Sequence, residues 1–167
     1  MATLYLVRHG IAEPAELAGG SDEERRLTAK GAQRAREVAR GLCSLGVTVD
    51  RIFTSPLPRA RETAEILIEE LDLARDCLTE MTLLRPESSP AEIAEWLGGL
   101  ALNSISLVGH NPSLSNLISY LITGGRPGGP TFELKKCGIA CLELPENETA
   151  RLKWLAEPRL LRRLRGD

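Results

Sequence analysis

Both histidines of the chain come directly after short apolar segments. His9 stands between Arg8 and Gly10 behind the apolar run 4–7, and His110 follows the apolar run 104–108. Short apolar runs of this kind predict buried strands. Because reactive groups of open α/β sheets collect beyond the carboxyl ends of the strands, we expect the two imidazoles to share one crevice.

Two arginines are predicted to join these histidines. Arg8 precedes His9, and Arg59 follows Pro58, a residue that suits the first turn of a helix. A helix start offers unpaired N–H groups, and a guanidinium matches the geometry of phosphate. One imidazole could then accept a phosphoryl group while the other holds its oxygens. Taken singly, each residue also fits a surface arginine or a structural histidine, so only the combination indicates a phosphate site.

The elements that position these residues alternate between strands and helices. The predicted strands cover 4–7, 51–54, 77–84, 104–108, 131–135, 139–144 and 151–155. Helices are predicted from the N-cap Thr28, from Pro58, from Pro90 and after His110. This order predicts an α/β three-layer sandwich, in which a mixed, mainly parallel sheet carries helices on both faces.

The whole-chain numbers describe an ordinary globular protein. A length of 167 residues predicts one domain, placed at 1–156, with a basic C-terminal tail at 157–167. We expect this tail to be a solvated helix, and contact with an acidic partner is the alternative. A net charge of −2 gives no sign of a nucleic-acid or membrane partner, and no apolar segment is long enough to span a membrane. The first strand begins without a charged leader, so we expect a cytoplasmic location.

No cofactor or metal site is expected. The four cysteines, Cys43, Cys77, Cys137 and Cys141, show no paired spacing and are interpreted as small core residues. With two histidines available elsewhere, a zinc site would need an unusual ligand set. The sequence also contains no dinucleotide fingerprint and no phosphate-binding Walker loop.

Three segments resemble the signatures of the histidine phosphatase superfamily, which has the phosphoglycerate mutase-like fold. They are Leu6-Val7-Arg8-His9-Gly10, Ser55-Pro56-Leu57-Pro58-Arg59-Ala60-Arg61-Glu62-Thr63-Ala64 and Val108-Gly109-His110-Asn111-Pro112. Within the superfamily, the segments 22–28 and 110–114 are similar to the SixA-type branch of phosphohistidine phosphatases. The resemblance covers residues 3 to about 145.

The resemblance implies a role for each matching residue. His9 would be the nucleophile that accepts the phosphoryl group, and Arg8, Arg59 and His110 would hold the phosphate oxygens. Arg25 and Asn111 are weaker matches, as contacts at the rim of the site or behind it. The family uses neither a metal nor an organic cofactor.

One segment departs from the family pattern. Mutase-like members carry a glutamate in a Leu-x-Glu segment as general acid, and the matching segment here is Leu84-Arg85-Pro86. Glu13, Glu80 and Glu87 are the nearest glutamates, and none of them matches the motif. An alkoxide needs a proton to depart, whereas a protonated imidazole can leave as a neutral group.

The missing acid favours a phosphohistidine substrate. We therefore expect a phosphatase that forms a phosphohistidine intermediate and removes phosphate from phosphohistidine on a partner protein. The alternative is a phosphatase acting on a small-molecule phosphoester. A phosphate-binding module without catalysis would be favoured by loss of the nucleophile, but His9 is intact.

Overall fold

Six strands form one mixed sheet in the computed structural model, which describes residues 1–146 and 148–164. In chain order they are β1 (Ala2–Arg8), β2 (Arg51–Thr54), β3 (Leu78–Glu80), β4 (Ser104–Gly109), β5 (Ile139–Leu144) and β6 (Arg151–Ala156). Across the sheet the order is β3-β2-β4-β1-β5-β6. The first four strands pair in parallel, and β5 runs antiparallel to both of its neighbours.

Helices cover both faces of this sheet. They are α1 (Ala29–Ser44), α2 (Pro58–Glu70), α3 (Pro90–Gly98), α4 (Ser113–Thr123) and α5 (Pro158–Arg163). One buried cluster joins α1, α2 and α5 to the sheet, and a second joins α3 and α4 to the opposite face. Strand β1 contributes side chains to both clusters, with Val7 in the first and Leu4 and Leu6 in the second. The predicted three-layer α/β class is confirmed.

The helix starts follow local sequence rules. The Thr28 hydroxyl accepts a hydrogen bond from the backbone N–H of Gly31 at 2.9 Å, and it therefore caps α1 as predicted. Pro58 and Pro90 occupy the first turns of α2 and α3, where a missing N–H costs nothing. None of the helices in the described residues is both long and apolar enough to cross a membrane.

Two strand predictions are wrong. The segment 131–135 forms no strand, because its backbone is used elsewhere: the Leu134 carbonyl accepts hydrogen bonds from the side chains of Arg8 and Asn111. The predicted strand 77–84 shrinks to β3, since the chain turns at Thr82–Leu84 and buries Leu84 in the core.

The C-terminal helix is less solvated than expected. Leu161 on α5 is 1% exposed and packs into the cluster of α1 and α2, although Leu160 and Leu164 remain about half exposed. A Cβ atom at Gly41 of α1 would lie 2.1 Å from the Leu161 carbonyl oxygen, so the glycine allows the two helices to touch. The end of the predicted tail, 165–167, lies outside the described residues.

Two of the four cysteines are buried and two are not. Cys137 and Cys141 are buried, as expected of small core residues. Cys43 is exposed and Cys77 is half-buried, so the core interpretation is wrong for Cys43 and only partly right for Cys77. All four thiols are free.

Candidate active site

The two predicted histidines meet at the carboxyl edge of the sheet. Strands β1 and β4 are parallel neighbours whose register pairs Arg8 with Gly109, and the His9 N–H donates to the Gly109 carbonyl at 3.0 Å. The ring centroids of His9 and His110 consequently lie 5.0 Å apart. Both side chains are buried, with 6% and 2% exposure.

A backbone carbonyl assigns the tautomer of His9. Its Nδ1 lies 2.7 Å from the Gly10 carbonyl oxygen, which can only accept, so Nδ1 carries the hydrogen. The lone pair is then on Nε2. The Gly10 N–H donates to the Thr63 hydroxyl at 3.0 Å, and that hydroxyl donates to the Arg59 carbonyl at 2.7 Å. This chain of hydrogen bonds ties the nucleophile loop to the start of α2.

Gly10 is also required by close packing. A Cβ atom at this position would stand 3.0 Å from a methyl carbon of Leu27 and 3.2 Å from the Cys137 sulfur. A larger residue would therefore push the loop that carries the His9 ring.

Ser55 holds the second histidine. Its hydroxyl oxygen lies 2.8 Å from His110 Nε2 and already accepts the Leu57 N–H at 3.3 Å. A serine hydroxyl can accept a second hydrogen bond as well as donate its own proton, so both tautomers of His110 satisfy this contact. The Nδ1 atom of His110 is buried and has no hydrogen-bond partner among the described residues.

Hydrogen bonds within the protein pair only some of the N–H groups of the two arginines. Arg8 Nη1 donates to the Leu134 carbonyl at 2.9 Å, and Arg59, which is 3% exposed, uses Nη1 and Nη2 to bind Asp22. The Nε atoms of both arginines are buried without a partner among the described residues. Buried donors are normally paired in folded proteins. The unpaired Nε–H groups of Arg8 and Arg59 are therefore suited to the oxygens of an anion, and His110 Nδ1 adds a third donor in the tautomer that carries its hydrogen there.

Burial keeps both imidazoles neutral. Desolvation lowers the pKa of His9 to about 3, and the neighbouring His110 and the two arginines act in the same direction against the Gly10 carbonyl. Desolvation, followed by the charge of Arg59, lowers the pKa of His110 to about 3, with Asp22 opposing it. At neutral pH His9 thus keeps its nucleophilic lone pair.

An exposed carboxylate forms the rim of the site. The Asp22 side chain is 62% exposed, and it accepts hydrogen bonds from Arg59 Nη2 at 3.0 Å and Arg25 Nη1 at 2.8 Å. The hydrogen bond from Arg25, assisted by Arg59, lowers the pKa of this carboxyl group against the opposing effect of burial. Asp22 is therefore ionised at neutral pH, and it occupies the outer side of the Arg59 guanidinium.

The predicted rim residues lie apart from one another. Arg25 is at the rim, where its Nε also donates to the Glu13 carbonyl at 2.5 Å. Asn111 lies behind Arg8 instead, because its amide Nδ2 donates to the same Leu134 carbonyl at 3.0 Å. Arg25 thus borders the site opening, and Asn111 helps to orient the segment that Arg8 binds.

The carboxylates of Glu13, Glu80 and Glu87 make no hydrogen bond or ion pair with the histidines or arginines of this site in the described parts of the chain. Glu80 pairs with Arg61 on the outer surface of α2, and Glu87 is exposed. Glu13 contributes its backbone carbonyl to Arg25. The carboxylate that does reach the site, Asp22, was missed, although it stands three residues before Arg25 in the charged run 22–26. Ser55 was also missed as a partner of His110, although it opens one of the quoted motifs.

A buried, neutral imidazole beside donors suited to an anion, at the carboxyl edge of an α/β sheet, is typical of phosphoryl-transfer enzymes. Residues 4–95 match the model of the Histidine phosphatase superfamily (branch 1). The chain belongs to this superfamily and is a phosphatase.

The relatives agree with this assignment. The chain is 38% identical over 141 residues to an uncharacterized protein from Picosynechococcus sp., covering 81% of each chain. It is 27% identical over 157 residues to the phosphohistidine phosphatase SixA of Escherichia coli, covering 93% of each chain. A solved structure of the protein histidine phosphatase SixA complexed with tungstate superposes with a TM-score of 0.85 at 26% identity, covering 95% of this chain and 99% of that one. The predicted resemblance to the SixA-type branch is confirmed.

Proposed function

We propose that the protein removes the phosphoryl group from phosphohistidine on a partner protein, with His9 as the nucleophile. The observation that carries this proposal is the combination of a neutral, oriented His9 with unmatched donors on Arg8 and Arg59 and the unpartnered Nδ1 atom of His110. The similarity to SixA supports the choice of phosphohistidine as the substrate.

In the first step, His9 Nε2 attacks phosphorus while the bond from phosphorus to the substrate imidazole nitrogen breaks. Because the other nitrogen of that imidazole carries a proton, the substrate histidine departs as a neutral group. In the second step, water attacks the phosphorus of phospho-His9, and the bond to Nε2 breaks. Phosphate and a proton are released, and His9 returns to its neutral form.

The surrounding residues stabilise charge during both steps. Arg8, Arg59 and His110 would donate to the equatorial oxygens, where charge is spread in phosphoryl transfer. Arg25 would contact the substrate at the rim, and Asn111 would hold Arg8 through the Leu134 carbonyl. The ionised Asp22 is no proton donor at neutral pH, which agrees with a leaving group that needs none.

The experiment that tests this function compares leaving groups. Phosphohistidine and aryl phosphates should be hydrolysed about 10²–10⁴-fold faster than alkyl phosphates, since that is the contribution of a general acid. The variants Glu13→Gln, Glu80→Gln and Glu87→Gln should leave phosphohistidine turnover nearly unchanged. An alkyl ester turned over as fast as phosphohistidine would instead support the small-molecule phosphatase.

A further inference from the structure

A basic groove lies beside the phosphate site, between α1, α5 and the segment that precedes β5. Its volume is about 510 Å³. Six of the residues that line it are cationic: Arg8, Arg34, Lys135, Lys136, Arg159 and Arg162. Glu157 is the one carboxylate in the lining. We call this feature the basic groove.

Half of these cations have no counter-ion among the described residues. Lys135 pairs with Glu133, and Arg162 pairs with Glu37. The side chains of Arg34, Lys136 and Arg159 form no ion pair or hydrogen bond with any residue that the structure describes.

Two other arginines of α1 do have counter-ions. Arg36 and Arg40 pair with Glu69 and Glu70 of α2 at 2.7–3.3 Å. Three unpaired cations line the basic groove, while the side chains of four others form no ion pair or hydrogen bond with the described residues and lie outside it: Lys30, Arg75, Arg126 and Arg163. Like charges held together repel one another, and an anionic partner relieves that repulsion.

The basic groove is continuous with the phosphate site. Arg8 belongs to both, and Cys137 in the groove wall donates its N–H to the Arg8 carbonyl at 3.0 Å. Burial and then the charges of Arg8, Arg25 and Arg59 lower the pKa of Lys136, so its ammonium group stands near the site arginines. The basic groove therefore borders the phosphate site at Arg8.

We propose that the basic groove binds an acidic segment flanking the phosphohistidine of the protein substrate, an inference that rests on the function proposed above. A single-stranded nucleic acid fits less well, because such sites stack bases on aromatic rings and the groove lining contains none. The groove selects the substrate and speeds its association, while the buried site performs the chemistry.

The test uses two synthetic phosphohistidine peptides of equal length, one flanked by glutamates and the other by glutamines. The wild-type enzyme should favour the glutamate peptide roughly tenfold in kcat/KM at low salt, and the preference should shrink as salt screens the charges. The double variant Arg34→Glu/Arg159→Glu should lose this preference. Arg163→Glu, which makes the same change on α5 outside the groove lining, should retain it.

Two further measurements distinguish a failure of the groove proposal from a failure of the proposed function. Hydrolysis of p-nitrophenyl phosphate should be equal in all variants, and the single variant Arg159→Glu, on an exposed side chain, provides a change with little risk to folding. Fluorescence anisotropy with the unphosphorylated glutamate peptide measures binding without catalysis. If no phosphohistidine peptide is hydrolysed yet this peptide binds through Arg34 and Arg159, the proposed function fails and the groove assignment stands.

The groove proposal is overturned by any of three results. The first is equal kcat/KM for the two peptides with the wild-type enzyme. The second is an equal loss of preference in Arg163→Glu and in the double variant. The third is an oligothymidylate that binds more tightly than the glutamate peptide, which would assign the groove to nucleic acid.

Discussion

The floor and the rim of the active site are built in different ways. The floor residues His9, His110 and Arg59 are 6%, 2% and 3% exposed, and strand register or a helix start fixes their positions. At the rim, the Asp22 and Arg25 side chains are 62% and 22% exposed and are held by ion pairs. We propose that the floor carries the chemistry and that the rim controls what reaches it.

The largest effect is expected at the centre of the floor. His9→Ala should lower kcat by at least about 10⁴-fold, since loss of a nucleophile removes the covalent route. Rapid quenching with labelled phosphohistidine should trap acid-labile phosphate on the wild-type protein and none on the variant. A variant that still traps label and turns over would assign the nucleophile elsewhere.

Arg59 lies in the floor and binds Asp22 at the rim, so changing Arg59 tests the contact between the two. Arg59→Lys should reduce kcat/KM roughly 10–100-fold, because lysine keeps the charge but loses the planar fork of donors. The matched control is Arg61→Lys on the same helix, where the guanidinium is exposed and faces Glu65 and Glu80. Thermal unfolding of both variants shows whether the fold is kept, and equal kcat/KM for Arg59→Lys and wild type would remove Arg59 from the site.

At the rim, Asp22→Asn should strengthen phosphate binding, whereas the variants of the floor lower activity. The carboxylate competes with phosphate for the Arg59 guanidinium, so neutralising it should tighten inhibition by inorganic phosphate about tenfold. Glu23→Gln, on the same loop but paired with Arg85, is the control. Weaker phosphate binding in Asp22→Asn would show that the aspartate positions Arg59 rather than competing for it.

The smallest effect is expected at Ser55. Ser55→Ala should lower kcat about 3–10-fold, since His110 Nε2 loses the hydrogen bond that holds its ring in place. Nitrogen-15 chemical shifts of His110 should then change, and Ser55→Thr should restore the wild-type shifts. Ser113→Ala, another buried serine, controls for the loss of a hydroxyl group. An unchanged His110 spectrum in Ser55→Ala would contradict the assigned role.

The floor of the site could be predicted from the sequence because local rules determine it. Apolar runs ending at His9 and His110 predicted two strand ends, and Pro58 predicted the helix start that carries Arg59. Parallel pairing of the strands then brought these residues together without further information. The same alternation of strands and helices predicted the three-layer fold.

Only the tertiary structure decided the parts that depend on contacts between distant segments. The segment 131–135 looked like a strand, but the side chains of Arg8 and Asn111 bind the Leu134 carbonyl. Glu80 pairs with Arg61 outside the site, and Asp22 reaches Arg59 across 37 residues of sequence. Leu161 leaves solvent because Gly41 lets α5 touch α1. Hydrophobic periodicity predicts local structure only. It does not predict such pairings, because each depends on which backbone group or charge lies nearby in the folded protein.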